Sequence, residues 1–390
     1  MTDTQFSTTT KVFHWLTALL ILTIIPLGVI ASRIDPVTDQ LIAQKTLLFS
    51  IHKTMGVAVF IVALARIAYA LTQTKPAPLH PDRRLETALA EVVHWLLYLS
   101  LVLVPLSGWI HHSAAAVAAP IWIPFANSLP FVPVNPTVSD LFGGLHWLWS
   151  KIMVAAILLH LSGALKHLLI DKDASLRRMW FGQTSVVALT SNANRIPAIV
   201  AISVYAAATA FGVGLGAYSP SASQQSSRLE TPQSGWTVTS GQIGLTITQL
   251  GNPISGSFKN WTAAIDFDET AVGVAGTVNT TIDIGSLQLG SVTNQAMGHD
   301  FFDQSVFPTA QFIGELISQG GEHSADGILT IKDHSHPLSF PFELNIDGNT
   351  SEMAATVSLN RTDFGIGGSI TDEANLANTV ALTLSVIATR

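Results

Sequence analysis

The stretch "LHWLWSKIMVAAILLHLSGALKHLL", Leu145 to Leu169, sets three histidines into a run otherwise apolar enough to cross a membrane. His146 and His160 stand 14 residues apart. At 100° per residue that spacing turns about 1400°, some 40° short of four full turns, so both rings lie on one helix face. At a rise of about 1.5 Å they are separated by roughly 21 Å along the axis, inside a hydrocarbon layer of ~30 Å. A single spanning helix therefore offers a nitrogen ligand near each membrane surface, a geometry suited to two stacked cofactors.

Composition frames that segment. The 390 residues are 48% hydrophobic and 12% charged, against about 25% charged in soluble domains, which points to a membrane protein. Cysteine is absent, so disulfides, iron–sulfur clusters, thiolate-bound haem and cysteine zinc sites are excluded. Histidine is the soft metal ligand in supply, and nine of the 13 fall before residue 168. Residues 1–217 hold 14 Lys/Arg against nine Asp/Glu, whereas 218–390 hold five against 17. A basic-leaning membrane part and an acidic soluble part follow.

Apolar runs long enough to span occur at about 12–32, 49–71, 90–112, 143–170 and 197–217. The polar start "MTDTQFSTTTK" reads as the lead into an uncleaved first helix. The N-terminal tail and the loops 72–89 and 171–196 carry eight Lys/Arg, while the loops 33–48 and 113–142 carry only Arg33 and Lys45. The positive-inside rule then puts the N-terminus in the cytoplasm. Four spans return the chain inside, and the fifth exports everything after it. Its Gly212, Gly214 and Gly216 suit a weakly packed anchor. Within 113–142, "APIWIPFANSLPFVPVNP" has five prolines and no charge. Neither helix nor strand is expected there, and a lid on the outer face of the bundle is the reading.

Beyond the Ser/Gln-rich linker "SPSASQQSSRLETPQSG" the hydrophobic period changes to two. Leu338, Phe340, Phe342, Leu344 and Ile346 alternate with their neighbours, as do Val380, Leu382, Leu384 and Val386. About 160 residues of such strands imply an antiparallel barrel or sandwich.

With helices alternating in direction, His14 lies at the inner end of the first and His52 at the outer end of the second. On the fourth, His146 is outer and His160 inner. Two cross-bundle pairs at matched depth result, His14 with His160 and His52 with His146, and bis-imidazole pairs are the simplest way to hold two haems b. Interfacial or satisfied core histidines are the alternative, but four that pair by depth inside a membrane favour function. His94 is open between a structural and a functional role. His167, about 10 Å nearer the cytoplasm than His160, could meet a propionate or a quinone, or be the true partner of His14. His111 and His112 read as the end of the third helix. Lys53, Lys151 and Arg66, beside or below the ligand levels, either pair with propionates or snorkel.

The motifs "KVFHWL", "SIHKTMG", "EVVHWLLYL", "LHWLW", "LLHLSGALKHL" and "DKDASLRRM" resemble those of the bacterial cytochrome b561 family, four-helix di-haem cytochromes of the inner membrane. The likeness covers roughly 8–182. It implies haem-iron axial ligation by His14, His52, His146 and His160, electron exchange with the quinone pool and, in some members, superoxide oxidation. "GWTVTSGQIGLTITQLGNPISGSFKNW", "GHDFFDQSVFPTAQF", "GILTIKDHSHPLSFPFEL" and "RTDFGIG" resemble the YceI-like family over about 228–390. That resemblance implies a lipocalin-like barrel holding an isoprenoid, in some cases a ubiquinone. "IKDHSHPL" departs from the family's small turn, and places His334 and His336 on a loop, either as metal ligands or simply solvated.

The expected protein is thus a multidomain membrane protein. A cytochrome b561-like transmembrane di-haem domain (1–182) precedes a tethering helix and polar linker (183–227) and a YceI-like antiparallel β-barrel (228–390). It works as a membrane electron-transfer protein, with an exported periplasmic barrel binding an isoprenoid or quinone. Its partners are the lipid bilayer, quinone, a polyisoprenoid and a periplasmic redox protein of unknown identity; no nucleic acid is expected. The rival is a membrane-anchored polyisoprenoid carrier whose bundle is mainly an anchor.

Overall fold

The computed structural model describes residues 6–73, 82–115, 119–180, 195–214 and 234–390, with 229 and 232. The chain divides into two compact units, Met1–Ile34 with Lys45–Ser219, and Asp35–Gln44 with Pro220–Arg390.

The first unit is helical. Its long elements are α1 (Thr8–Arg33), α2 (Asp39–Leu71), α3 (Arg84–Ala114) and α4 (Pro136–Lys166), followed by a π-turn at His167–Asp171, a short α5 (Ser175–Met179) and α6 (Ile196–Gly214). Five helices are long and apolar enough to cross a membrane. α1 starts where the Ser7 hydroxyl accepts the N–H of Thr10 at 3.2 Å, satisfying one of the free amides of a helix start. α4 starts seven residues before the apolar run itself. Asn135 caps it by accepting from Val138 N, and Pro136 takes the first turn, where its missing N–H costs nothing. The end of the proline-rich stretch is therefore helical, contrary to the sequence expectation. Arg83 reaches Asp171 at 3.1 Å and Lys166 reaches Glu86 at 2.6 Å, tying α3 to the end of α4 at one end of the unit.

The fifth span also differs from expectation. Instead of standing loosely, α6 packs on α3 and α4: Ala201 is fully buried, Tyr205 Oη lies 2.6 Å from Ser100 Oγ, and Trp149 Nε1 donates to Thr209 Oγ1 at 3.1 Å. Alanines along its face permit that close approach.

The second unit is an antiparallel sheet of ten strands: β1 (Thr237–Gln249), β2 (Asn252–Phe258), β3 (Trp261–Phe267), β4 (Gly273–Asp283), β5 (Leu287–Gln288), β6 (Thr309–Gln319), β7 (Glu322–Ile331), β8 (His334–Asp347), β9 (Thr350–Asn360) and β10 (Thr379–Thr389), with one helical turn, α7 (Thr293–Ala296). The spatial order is β3-β4-β6-β7-β8-β9-β10-β1-β2-β5. The sheet curls until Trp236, just ahead of β1, donates its N–H to Ile265 O of β3 at 3.0 Å, which closes a barrel with β2 and β5 as an added flap. His334 and His336 open β8 rather than standing on a loop, because Lys332 takes the left-handed turn position at φ 57° and leaves His334 paired with Ile331.

Candidate functional site

The helical unit carries two layers of imidazoles. At the end where α1 begins, the rings of His14 and His160 lie 6.2 Å apart between centroids. In the other layer His52 and His146 lie 6.3 Å apart. Both expected pairs are therefore brought together, one from α1 and α4, the other from α2 and α4. His94 joins the first layer, its ring 5.1 Å from that of His160. Arg66 stands near and stacks on Tyr98 at 5.3 Å.

The second layer is held by backbone. His52 Nδ1 lies 2.9 Å from Ile24 O, and His146 Nδ1 lies 2.9 Å from Val104 O. A carbonyl only accepts, so each Nδ1 carries the proton, and a neutral ring leaves its lone pair on Nε2. Glycines make these contacts possible. A Cβ on Gly28 would meet His52 Cε1 at 2.7 Å, and one on Gly108 would meet His146 Cε1 at 2.9 Å.

These two contacts expose a repeat that the motif reading missed. "HWL" occurs at 14–16, 94–96 and 146–148, and after the first two a glycine follows the histidine by 14 residues, at Gly28 and Gly108. The carbonyl bonded by the neighbouring helix lies ten residues after that histidine in both, at Ile24 and Val104. On the partner helices the residue 14 after His52 is Arg66, and the residue 14 after His146 is His160. α1 and α3 thus share this spacing and present the same contact to their neighbours. His94 is the counterpart of His14, and Arg66 the counterpart of His160. The shared spacing His14 to Gly28 and His94 to Gly108, offset by 80 residues, was the available signal.

The remaining candidates sit elsewhere. His167 leaves the two-ring layers and lies among carboxylates, with Nδ1 2.7 Å from Asp173 Oδ2 and Nε2 3.4 Å from Glu86 Oε1. His111 does more than end a helix: its Nδ1 lies 2.8 Å from Ser139 O, against Gly143. Lys53 Nζ lies 3.2 Å from His112 Nδ1 and donates to Ala119 O at 3.2 Å. Lys151 covers the face of Trp147. In the barrel, His334 Nδ1 lies 2.7 Å from Asp333 and the His336 ring sits edge-on to Phe364. Among the described residues neither belongs to a cluster of three metal-ligating side chains.

The barrel interior is apolar and holds two cavities. One is lined by residues such as Leu245, Phe258, Phe301, Phe302, Phe364 and Leu376. The second is lined by Trp236, Trp261, Phe267, Phe312, Phe340 and Phe342 among others. Ile243, Ile282, Leu329 and Leu382 border both, so the chambers meet at a waist. All five alternating residues of β8, Leu338 to Ile346, line the second chamber. Arg361 borders the first chamber and is 3% exposed. Its guanidinium donates to five carbonyls, those of Ile366, Gly367, Ile370, Leu376 and Ala377, at 2.7–3.1 Å. Burial pushes that guanidinium below its usual range.

The described residues thus combine helices long and apolar enough to cross a membrane, with histidines paired at two levels, and an antiparallel barrel with an apolar interior. Residues 5–182 match the family described as prokaryotic cytochrome b561, and residues 236–388 match the YceI-like domain. The chain is thus similar to the prokaryotic cytochrome b561 family in its first part and to the YceI-like domain in its second. It is 26% identical over 182 residues to cytochrome b561 homolog 2 of Escherichia coli (strain K12), covering 46% of this chain and 92% of that relative. It is 28% identical over 130 residues to the probable superoxide oxidase CybB of Yersinia pestis, covering 33% and 72%. Among solved structures, BcnA of Burkholderia cenocepacia is 27% identical with a TM-score of 0.36, covering 38% of this chain and 96% of that one. The YceI protein of Campylobacter jejuni is 23% identical with a TM-score of 0.31, covering 35% and 85%.

Proposed function

We propose that the helical unit holds two haems b, one between His14 and His160 and one between His52 and His146, and exchanges electrons with the quinone pool. The observation that carries this reading is the ring spacing. Each pair would hold its metal between two facing imidazoles, and the two pairs share nearly one spacing. The two pairs stand at 6.2 and 6.3 Å. His94, at 5.1 Å from His160, departs from that common spacing, which favours His14 as the partner. The donor set fits the group further, since the carbonyls of Ile24 and Val104 fix the tautomer that offers Nε2.

When bound, such a group supplies one-electron transfer without bond making. The protein's part is to orient the rings and to keep water away. Gly28 and Gly108 admit the rings edge-on, and the ligand separation along α4 of roughly 21 Å sets two layers across the membrane. Arg66, stacked over Tyr98, adds a positive charge to the first layer, which steadies an anionic group there.

The membrane is the bacterial inner membrane, with the N-terminus cytoplasmic and the barrel periplasmic. The eight-to-two distribution of Lys/Arg in the loops and five spans support that orientation. The barrel takes an isoprenoid or ubiquinone; two joined apolar chambers support this over a side-chain-filled interior. Superoxide oxidation, the activity named for the Yersinia relative, is the enzymatic form this electron transfer takes if the periplasmic donor is superoxide.

Reduced-minus-oxidised spectra of the purified protein, with a pyridine haemochrome assay, test the proposal. About two haems b per chain are expected. A chain without a reducible b-type signal favours the rival reading, a carrier whose bundle serves as an anchor.

A further inference from the structure

The uncharged stretch between α3 and α4 is an anchored piece of structure. From Ala119 to Asn135 it holds four prolines and no ionisable side chain. Trp109 Nε1 donates to Ala126 O at 2.8 Å, the Leu129 N–H to Ser113 Oγ at 2.9 Å, and the Ile121 N–H to Asn127 Oδ1 at 2.7 Å. On α2, Thr54 Oγ1 accepts the Trp122 N–H at 3.0 Å, and Ile121 and Ala126 bury against Val57. Val57 lies eight residues into the apolar run that begins near residue 49, about 12 Å along the helix. One and two turns further on, Ile61 and Leu64 continue that face of α2 and stand about half exposed. The loop therefore folds back along the flank of a membrane-spanning helix, beside its lipid-facing side.

From this frame the loop holds Trp122, Phe125, Phe131 and Val134 outward, with both phenylalanines fully exposed. Phe125 and Phe131 also take left-handed backbone, at φ 63° and 73°, a conformation that a bulky side chain adopts only when its surroundings impose it. We propose that residues 120–134 form a wedge seated in the interfacial layer of the bilayer, with Phe125 and Phe131 at the boundary between headgroups and acyl chains. The leaflet, the outer one, rests on the orientation given above; the insertion does not. Lipid fits this surface better than a protein partner does. The patch continues the bare apolar face of α2, and it lacks the polar rim of specific protein interfaces. Aromatic side chains concentrate where hydrocarbon meets water. The prolines serve the same end: each lacks an N–H, so fewer amides need partners on leaving water. Irregular backbone is not tolerated in the hydrocarbon centre, which sets the wedge at the interface and no deeper.

The chain has no cysteine, so single variants each accept one nitroxide label. Phe125→Cys and Phe131→Cys are compared with Leu158→Cys on the exposed face of α4 and with Glu322→Cys at the exposed start of β7. In vesicles of phosphatidylcholine and phosphatidylglycerol, collisions with oxygen, which concentrates in hydrocarbon, are measured against collisions with a water-soluble nickel chelate. The oxygen-to-nickel ratio at 125 and 131 should exceed that at 322 several-fold and stay below that at 158. A ratio equal to that at 322 would put the loop in water, and protection from both reagents would put it against protein; either overturns the proposal. The unaltered chain gives a second measurement that no folding defect can disturb. A phosphatidylcholine with a diazirine on the upper part of its acyl chain should label peptides within 119–135. Label confined to the helical spans would equally overturn the wedge.

Discussion

Gly28 stands so close to His52 that a Cβ there would come within 2.7 Å of the ring carbon Cε1. The same relationship recurs between Gly108 and His146, at 2.9 Å. In each case the histidine bonds the carbonyl four residues before the glycine. Position and tautomer of the ring thus come from the backbone of the neighbouring helix.

Gly28→Ala and Gly108→Ala should each push a ring out of place and lose the haem of that layer. The haemochrome ratio should drop from about two to about one per chain, as expected when an orienting contact of a metal ligand is lost. Retention of both haems in both variants would show that the layer tolerates a methyl group.

His160→Ala and His146→Ala should remove different haems, distinguishable by their absorption maxima or midpoint potentials. His94→Ala should keep both. Loss of a haem in His94→Ala together with retention in His14→Ala would transfer the ligand role to His94, the counterpart of His14 on α3.

Arg361→Ala should destabilise the barrel by roughly 3–5 kcal/mol, since five buried carbonyls lose their donor together. Calorimetry should show a melting transition of the β unit lowered by about 10 °C. Arg361→Lys should fall between the two, because an ammonium has three donors for five acceptors. A variant that melts within a degree of the parent would mean that the 365–377 loop is held by other contacts.

Protease added to intact spheroplasts should release a fragment of about 170 residues by cutting near Ser221–Ser227, a segment outside the described residues. Protection of that fragment would overturn either the orientation or the number of spans.

Much of this protein was legible in the sequence because the signals are local and periodic. Span length and apolarity define the five helices, and the period-two alternation of Leu338 to Ile346 defines an inward face whatever lies across from it. The spacing of His146 and His160 follows from helix geometry alone, and helix alternation paired them with His52 and His14 by depth. The start of α4 was misplaced because a cap at Asn135 and a proline at the first turn made helix out of residues whose composition reads as loop. Tertiary structure decided what depends on the separation of elements distant in the chain. That His94 stands nearer than His14 to His160 is a matter of interhelical distance, which no one-dimensional pattern encodes. The docking of Tyr205 on Ser100 likewise depends on where α6 meets α3. The barrel showed the same division: alternation said which side chains point inward, but whether they fill the interior or leave chambers depends on how far the sheet curls before Trp236 meets Ile265. Arg361 likewise met its five carbonyls only once the 366–377 segment had folded around it.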